Sequence, residues 1–208
     1  MNPQALIAAS VLISFFGSAI SLYISRSLMR VGRAIGDKGL TLASIAMAIY
    51  GLTLLIEAFV NSFAPAHLAV HGRRPQELLS VLVNRGTLIA IPLYTLSYAF
   101  LAASHYVSGT AVEGSSRRER EYGMIPLFIL IFIDYNIIDL IVLAIAAMMV
   151  LGRYGSARLP TVLFYTILAA SHSLAIGLLV TSSSWWIVPV STILRGVAPA
   201  VLLFSSHE

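Results

Sequence analysis

The chain has 208 residues, of which 58% are hydrophobic and only 11% are charged, with a formal net charge of +4. A soluble domain carries about 25% charged residues, so this composition excludes an ordinary water-soluble enzyme and a disordered chain. Cysteine is absent, which excludes disulfides, thiol catalysis and cysteine-ligated metals. The basic residues lie in short groups between apolar runs, as they do beside membrane helices, and no nucleic-acid-binding motif occurs, so we expect no nucleic acid partner.

Six apolar segments are long enough to cross a lipid bilayer, which takes about 20 residues in a helix. In chain order they cover residues 5–24, 40–63, 87–107 (with an apolar start as early as 78), 124–151, 160–181 and 185–204. Long continuous apolar runs exclude a membrane β-barrel, so the segments must be helical. The sequence therefore predicts an all-α, polytopic integral membrane helical bundle of about six transmembrane helices, in a single domain over residues 1–208.

The position of the first basic residues predicts the orientation. Residues 1–4 contain no Lys or Arg, which argues against a signal peptide. The first positive charges follow the first apolar segment, at Arg26, Arg30, Arg33 and Lys38. Basic loops favour the cytoplasm, so this pattern favours a multi-pass protein of the cell membrane with its N-terminus outside. The loops after the first, third and fifth helices would share the cytoplasmic side.

Two pairs of similar segments suggest an internal repeat. Gly32-Arg33 follows the first predicted helix and Gly152-Arg153 follows the fourth, while Arg85-Gly86 and Arg195-Gly196 mark the third and the sixth. Two halves of three helices each would lie in opposite orientations across the membrane. The pattern thus indicates a 3+3 inverted repeat, an arrangement that recurs in transporters. The alternative is a chance recurrence of Gly-Arg pairs at helix ends.

Several ionisable residues fall within the apolar segments, where each costs at least about 2.5 kcal/mol unless it is compensated. They are Glu57, Asp134, Asp139, His172 and Arg195, with Arg85 at a border. Helical rise places Asp134, Arg195 and His172 at similar depths of about 15–18 Å. Guanidinium and carboxylate match bidentately, so Arg195 is predicted to pair with Asp134, with His172 beside them. Glu57, Asp139 and Arg85 would form a second group nearer the outer face.

Such clusters fit more than one kind of function. A buried polar group can line a route for a proton, an ion or a small solute. The chain can equally act as a membrane subunit of a larger complex. In a further alternative the subunit is purely structural, and its buried ion pairs only hold helices together. Because six helices enclose little volume, other membrane subunits or a second copy of the chain are expected partners beside the lipid bilayer. The sequence contains no motif of a known enzyme class, so a non-enzymatic protein is predicted.

The histidines offer a further alternative. The segment LAASH occurs twice, ending at His105 and His172, and two histidines on different helices can hold a b-type haem. In this alternative the chain is a haem-binding electron-transfer subunit. Helical rise places these two about 10 Å apart in depth, so this haem would need a kinked or strongly tilted helix. His67 and His71 have the four-residue spacing of a helical metal pair, but no cysteine or suitably spaced acid joins them. We therefore predict no metal site there.

Overall fold

The computed structural model describes residues 3–71, 90–107, 135–154, 159–180 and 186–203. Within these ranges the chain is entirely helical apart from short turns, which confirms the predicted all-α class. The helices are α1 (Pro3–Ile35), α2 (Lys38–His71), α3 (residues 90–107), α4 (Tyr135–Tyr154), α5 (Leu159–Val180) and α6 (Ile187–Leu203).

A tight turn separates the first two helices. Gly36 has a φ of 70°, a left-handed conformation that glycine adopts readily at the end of a helix. The Asp37 carboxylate then caps α2, because its Oδ1 accepts the Gly39 and Leu40 N–H groups at 2.7 and 3.2 Å. The helix α1 therefore ends at Ile35, well beyond the predicted boundary, since the arginines after residue 24 extend the helix instead of forming a loop.

Small polar residues join α1 to α2 in an antiparallel pair. Ser18 donates to the Gly51 carbonyl oxygen at 2.7 Å. Farther along α1, Ser25 and Ser44 each donate to the carbonyl oxygen of the other at 2.8 Å. Residue numbers rise on α1 while they fall on α2, so the helices run in opposite directions. The short side chains allow a close approach of the two backbones.

The third helix also runs antiparallel to α2. Tyr94 on α3 donates to the Glu57 carboxylate at 2.6 Å. One turn later, Ser97 donates to the Ala46 carbonyl oxygen at 2.8 Å. Successive positions on α3 thus meet earlier positions on α2, which gives α3 the same direction as α1.

The sixth helix has this direction as well. Thr192 donates to Glu57 on α2 at 2.8 Å, and the Arg195 carbonyl oxygen accepts the Tyr50 hydroxyl at 2.7 Å. Residue numbers again rise on one helix and fall on the other, so α6 is antiparallel to α2. It lies directly against Gly17 of α1.

The fourth helix runs in the same direction as the third. On α3 and α5, Tyr98 meets His172 and His105 meets Tyr165, so these two helices are antiparallel. Only four residues separate α4 from α5. Asp139 lies about as far before this link as His172 lies after it, and the two side chains are in contact. Helices α4 and α5 therefore form an antiparallel pair, which leaves α3 and α4 pointing the same way.

These directions contradict the predicted inverted repeat. Helices α1 to α3 and α4 to α6 follow the same order of directions, so the two halves are not inverted. The last described residue of α3 lies at the end of the bundle that contains Gly36, and α4 begins at the opposite end, near Pro3. We refer to these as the Gly36 end and the Pro3 end. Residues 108–134, including the first part of the predicted fourth helix, lie outside the described residues.

The outer surface of the described helices is mostly apolar. Three helices, over Gln4–Ile35, Lys38–Phe63 and Leu159–Ile176, are long and apolar enough to cross a membrane. Large apolar side chains point outward, including Phe16 at 68% and Met148 at 63% exposure. Exposure of such an apolar surface to water is unfavourable, whereas its contact with lipid is not. The chain thus has the features of a membrane protein.

Candidate functional site

A buried ion pair joins α2 and α6 near the Pro3 end. Arg195 Nη2 lies 2.5 Å from Glu57 Oε1, and each side chain is 10% exposed. Both oxygens of the Glu57 carboxylate also accept hydrogen bonds from neutral donors. Thr192 donates to Oε1 at 2.8 Å, and Tyr94 donates to Oε2 at 2.6 Å. Each charge is therefore compensated by its partner and by hydrogen bonds, which is the condition for burying such groups.

Aromatic rings surround this ion pair. The Arg195 guanidinium carbon lies 5.3 Å from the centroid of the Tyr94 ring, within the range of a cation–π contact. Tyr94 stacks on Tyr98 with centroids 6.0 Å apart, and Tyr50 contacts both rings. These tyrosines are fully buried, with exposures of 0–1%. They connect the ion pair to a second polar group deeper in the bundle.

The second group contains a carboxylate, an imidazole and a phenol from three different helices. Asp139 Oδ2 on α4 lies 3.5 Å from His172 Nδ1 on α5, and His172 Nε2 lies 3.1 Å from the Tyr98 hydroxyl on α3. Thr95 donates to the other Asp139 oxygen at 2.6 Å. Asp139, His172 and Tyr98 are at most 1% exposed. We refer to these three residues as the Asp–His–Tyr series.

The imidazole of His172 lies between a carboxylate and a phenol, so it can exchange a proton with a group on either side. A neutral imidazole with its proton on Nδ1 faces the carboxylate as a donor and accepts the Tyr98 O–H at Nε2. Gain of a proton at one nitrogen and loss at the other passes a proton through the ring. The 3.5 Å separation of Asp139 from His172 exceeds hydrogen-bond length, so transfer requires an approach to about 2.6–3.2 Å.

A second histidine–tyrosine pair repeats the first. His105 Nε2 lies 2.5 Å from the Tyr165 hydroxyl. The segments from Tyr98 to His105 and from Tyr165 to His172 read YAFLAASH and YTILAASH. In each, the tyrosine precedes the histidine by seven residues and shares its helical face. Because α3 and α5 are antiparallel, each tyrosine meets the histidine of the other helix.

The His105–Tyr165 pair borders a cavity that opens toward the Gly36 end. The cavity has a volume of about 460 Å³ and lies between α1, α2, α3, α5 and α6. Its lining includes the buried side chains Met47 and Phe164, together with Asp37 of the turn. One histidine–tyrosine pair is therefore reached from this cavity, and the other lies about two helical turns deeper.

The structure groups the predicted charges differently from the sequence analysis. Arg195 meets Glu57, which we had assigned to the outer group, while His172 meets Asp139. Depth along a helix is readable from residue number, but the direction in which each side chain points depends on how the helices pack. Asp134 and Arg85, the remaining members of the two predicted groups, lie outside the described residues. The predicted contact of Arg195 with Asp134 therefore stays a prediction, while Arg195 pairs with Glu57.

The predicted haem arrangement does not fit these contacts. The Nε2 atoms of His105 and His172 face tyrosine hydroxyls, and the two imidazoles do not oppose each other. The backbone of α2 includes His67 and His71, beyond the predicted end of the second segment at residue 63, but their side chains lie outside the described part. Among the side chains that are described, no group of three His, Asp or Glu could hold a metal ion.

Comparison with known proteins gives no relative from which a function could be transferred. No protein-family model, curated protein or solved structure matches the chain. The chemistry therefore rests on this chain's own residues, and the Asp–His–Tyr series is their most specific arrangement.

Proposed function

We propose that the chain is a multi-pass integral membrane protein, folded as one helical domain, that translocates protons, alone or coupled to an ion or small solute. The observation that carries this proposal is the Asp–His–Tyr series, three titratable groups in line and out of contact with water. Ionisable residues at such depth are costly and mark proton and ion routes in membrane proteins. Purely structural contacts between helices need no such order of acid, base and phenol.

The apolar surface and the charges support a location in the membrane. Among the described side chains, every exposed Lys or Arg belongs to the last turns of α1 or the first residue of α2: Arg26, Arg30, Arg33 and Lys38. By the positive-inside rule the Gly36 end faces the cytoplasm, and the Pro3 end faces outward. The lipid then surrounds the exposed apolar side chains of all six helices.

The proposed route begins at the cavity on the cytoplasmic side. A proton enters at the His105–Tyr165 pair, which borders the cavity. It continues to the Asp–His–Tyr series, about 10 Å farther along the helices. The ring of Tyr94 stacks on that of Tyr98, and the Tyr94 hydroxyl, which donates to Glu57, is the next group on the route. The step of about 10 Å between the two histidine–tyrosine pairs is too long for a direct hydrogen bond, so the route requires bridging water between these groups.

The proposal predicts that proton flux depends on His172. In liposomes that contain the purified protein and an internal pH-sensitive dye, His172→Phe should lower the flux on the order of 100-fold, because the imidazole that accepts and donates the proton is lost. Tyr98→Phe should lower it as well. Ser171→Ala is the matched control, since within the described residues its buried hydroxyl donates only to the Leu168 carbonyl oxygen. Its flux should equal that of the unmodified chain.

The same measurement can reject the proposal. Unchanged flux in a folded His172→Phe variant would show that the series is structural. A second candidate function, a membrane subunit of a larger complex, is favoured by the exposed aromatic residues Phe15, Phe16, Phe59 and Phe63 on α1 and α2. Absence of flux from the unmodified chain alone would support this candidate.

A further inference from the structure

Three arginines line one face of α1 at the Gly36 end. Arg26, Arg30 and Arg33 are spaced by four and three residues, which places them on neighbouring turns of the same face. All three are exposed. They border an open groove of about 500 Å³, together with Leu22 and Met29.

These arginines have no anionic partner within the described part of the chain. No ion pair or hydrogen bond joins any of them to a described side chain. The Asp37 carboxylate is the nearest acid in sequence, and its Oδ1 holds the N–H groups that begin α2. Three adjacent guanidinium groups repel one another unless an anion lies between them.

The other groove residues determine which anion fits. The hydroxyls of Ser25 and Ser44 are directed to each other's backbone oxygens, so the polar character of the groove comes from the guanidinium groups. Leu22 provides apolar surface on the side toward the middle of α1, and Met29 adds apolar surface between Arg26 and Arg30. A ligand that combines a phosphate with an acyl chain matches both parts, because guanidinium groups bind phosphate oxygens in pairs.

We propose that this groove binds the headgroup of an anionic phospholipid from the cytoplasmic leaflet. Arg26, Arg30 and Arg33 hold the phosphate, and the acyl chains follow the apolar surface near Leu22. Basic groups next to a membrane helix recognise anionic lipids in this way. The inference rests on the proposed membrane location and is independent of proton translocation, since none of these residues belongs to the route.

The test compares lipid binding to the full chain in a neutral detergent, by native mass spectrometry. Phosphatidylglycerol should remain bound, whereas phosphatidylcholine and inorganic phosphate at equal concentration should not. Arg30→Gln should weaken phosphatidylglycerol binding about tenfold or more, because it removes charge-assisted hydrogen bonds. Lys38→Gln is the control of equal charge at the same end but outside the groove, and should change binding less than about twofold, as expected of a distant screened charge.

The proposal is wrong if Arg30→Gln and Lys38→Gln weaken binding equally, since net charge alone would then explain the affinity. Equal retention of phosphatidylcholine would also overturn it, and so would equal retention of inorganic phosphate, which would indicate a simple anion patch. Proton flux in Arg30→Gln liposomes should be unchanged. A failed lipid test with intact flux would therefore leave the proposed function standing, and the reverse result would leave the lipid site standing.

Discussion

Replacing Arg195 with methionine should lower the free energy of unfolding by about 3–5 kcal/mol, because Glu57 would remain as an unpaired carboxylate inside the bundle. The loss should be large because the pair is only 10% exposed and water cannot replace the guanidinium. Thr192 and Tyr94 would still donate to the carboxylate, but neutral donors compensate its charge only in part. Reversible unfolding in detergent micelles, followed by circular dichroism, measures the change.

A double variant and an exposed arginine serve as controls. Glu57→Gln combined with Arg195→Met should lose clearly less stability than the sum of the two single losses, since no charge is left unpaired. Arg26→Met changes an exposed arginine without a described partner and should alter stability by no more than about 0.5 kcal/mol. Equal losses for Arg195→Met and Arg26→Met would mean that the buried pair contributes nothing to folding.

The second large effect is expected at the contact between α1 and α6. A Cβ atom on Gly196 would lie 2.8 Å from Ile13 Cγ2 and 2.9 Å from the Ile13 carbonyl oxygen, and a Cβ on Gly17 would lie 2.8 Å from the Gly196 Cα. Backbone atoms cannot move aside as a flexible side chain can, so alanine at either position would push the helices apart. Gly196→Ala should cost about 1–3 kcal/mol, the usual range for overpacking.

A displaced α6 would also disturb the ion pair, because Arg195 directly precedes Gly196. Gly152→Ala is the matched control, since nothing lies within 4 Å of a Cβ at that helical position. It should leave stability unchanged or raise it by up to about 1 kcal/mol, through the higher helix propensity of alanine. If Gly196→Ala behaved like Gly152→Ala, α1 and α6 could not be as close as described.

The sequence predicted which polar residues matter better than it predicted their partners. Glu57, Asp139, His172 and Arg195 were recognisable because each is a costly residue in an apolar run. Their pairing could not be predicted, since it depends on the direction of each helix and on the face that it turns inward. Simple alternation of six helices would not place α3 and α4 in the same direction, and this direction brings Thr95 beside Asp139.

The tyrosines were missed although the sequence contains a signal for them. The repeated LAASH was noted, but Tyr98 and Tyr165 lie just upstream of it, at seven residues from each histidine. A spacing of seven places tyrosine and histidine on one helical face, about 10 Å apart. On two antiparallel helices this pattern produces crossed tyrosine–histidine contacts, which would have argued against the haem alternative.

Cysteine labelling directly tests the arrangement of the helices across the membrane, on which both proposals rest. The chain has no cysteine of its own, so single variants at the exposed positions Gln4, Lys38, Leu159 and Trp186 can react with a membrane-impermeant maleimide. In intact cells Gln4→Cys and Trp186→Cys should be labelled, whereas Lys38→Cys and Leu159→Cys should react only after permeabilisation. Labelling of Lys38→Cys and Leu159→Cys from opposite sides would contradict the arrangement, because six simply alternating helices would give that result.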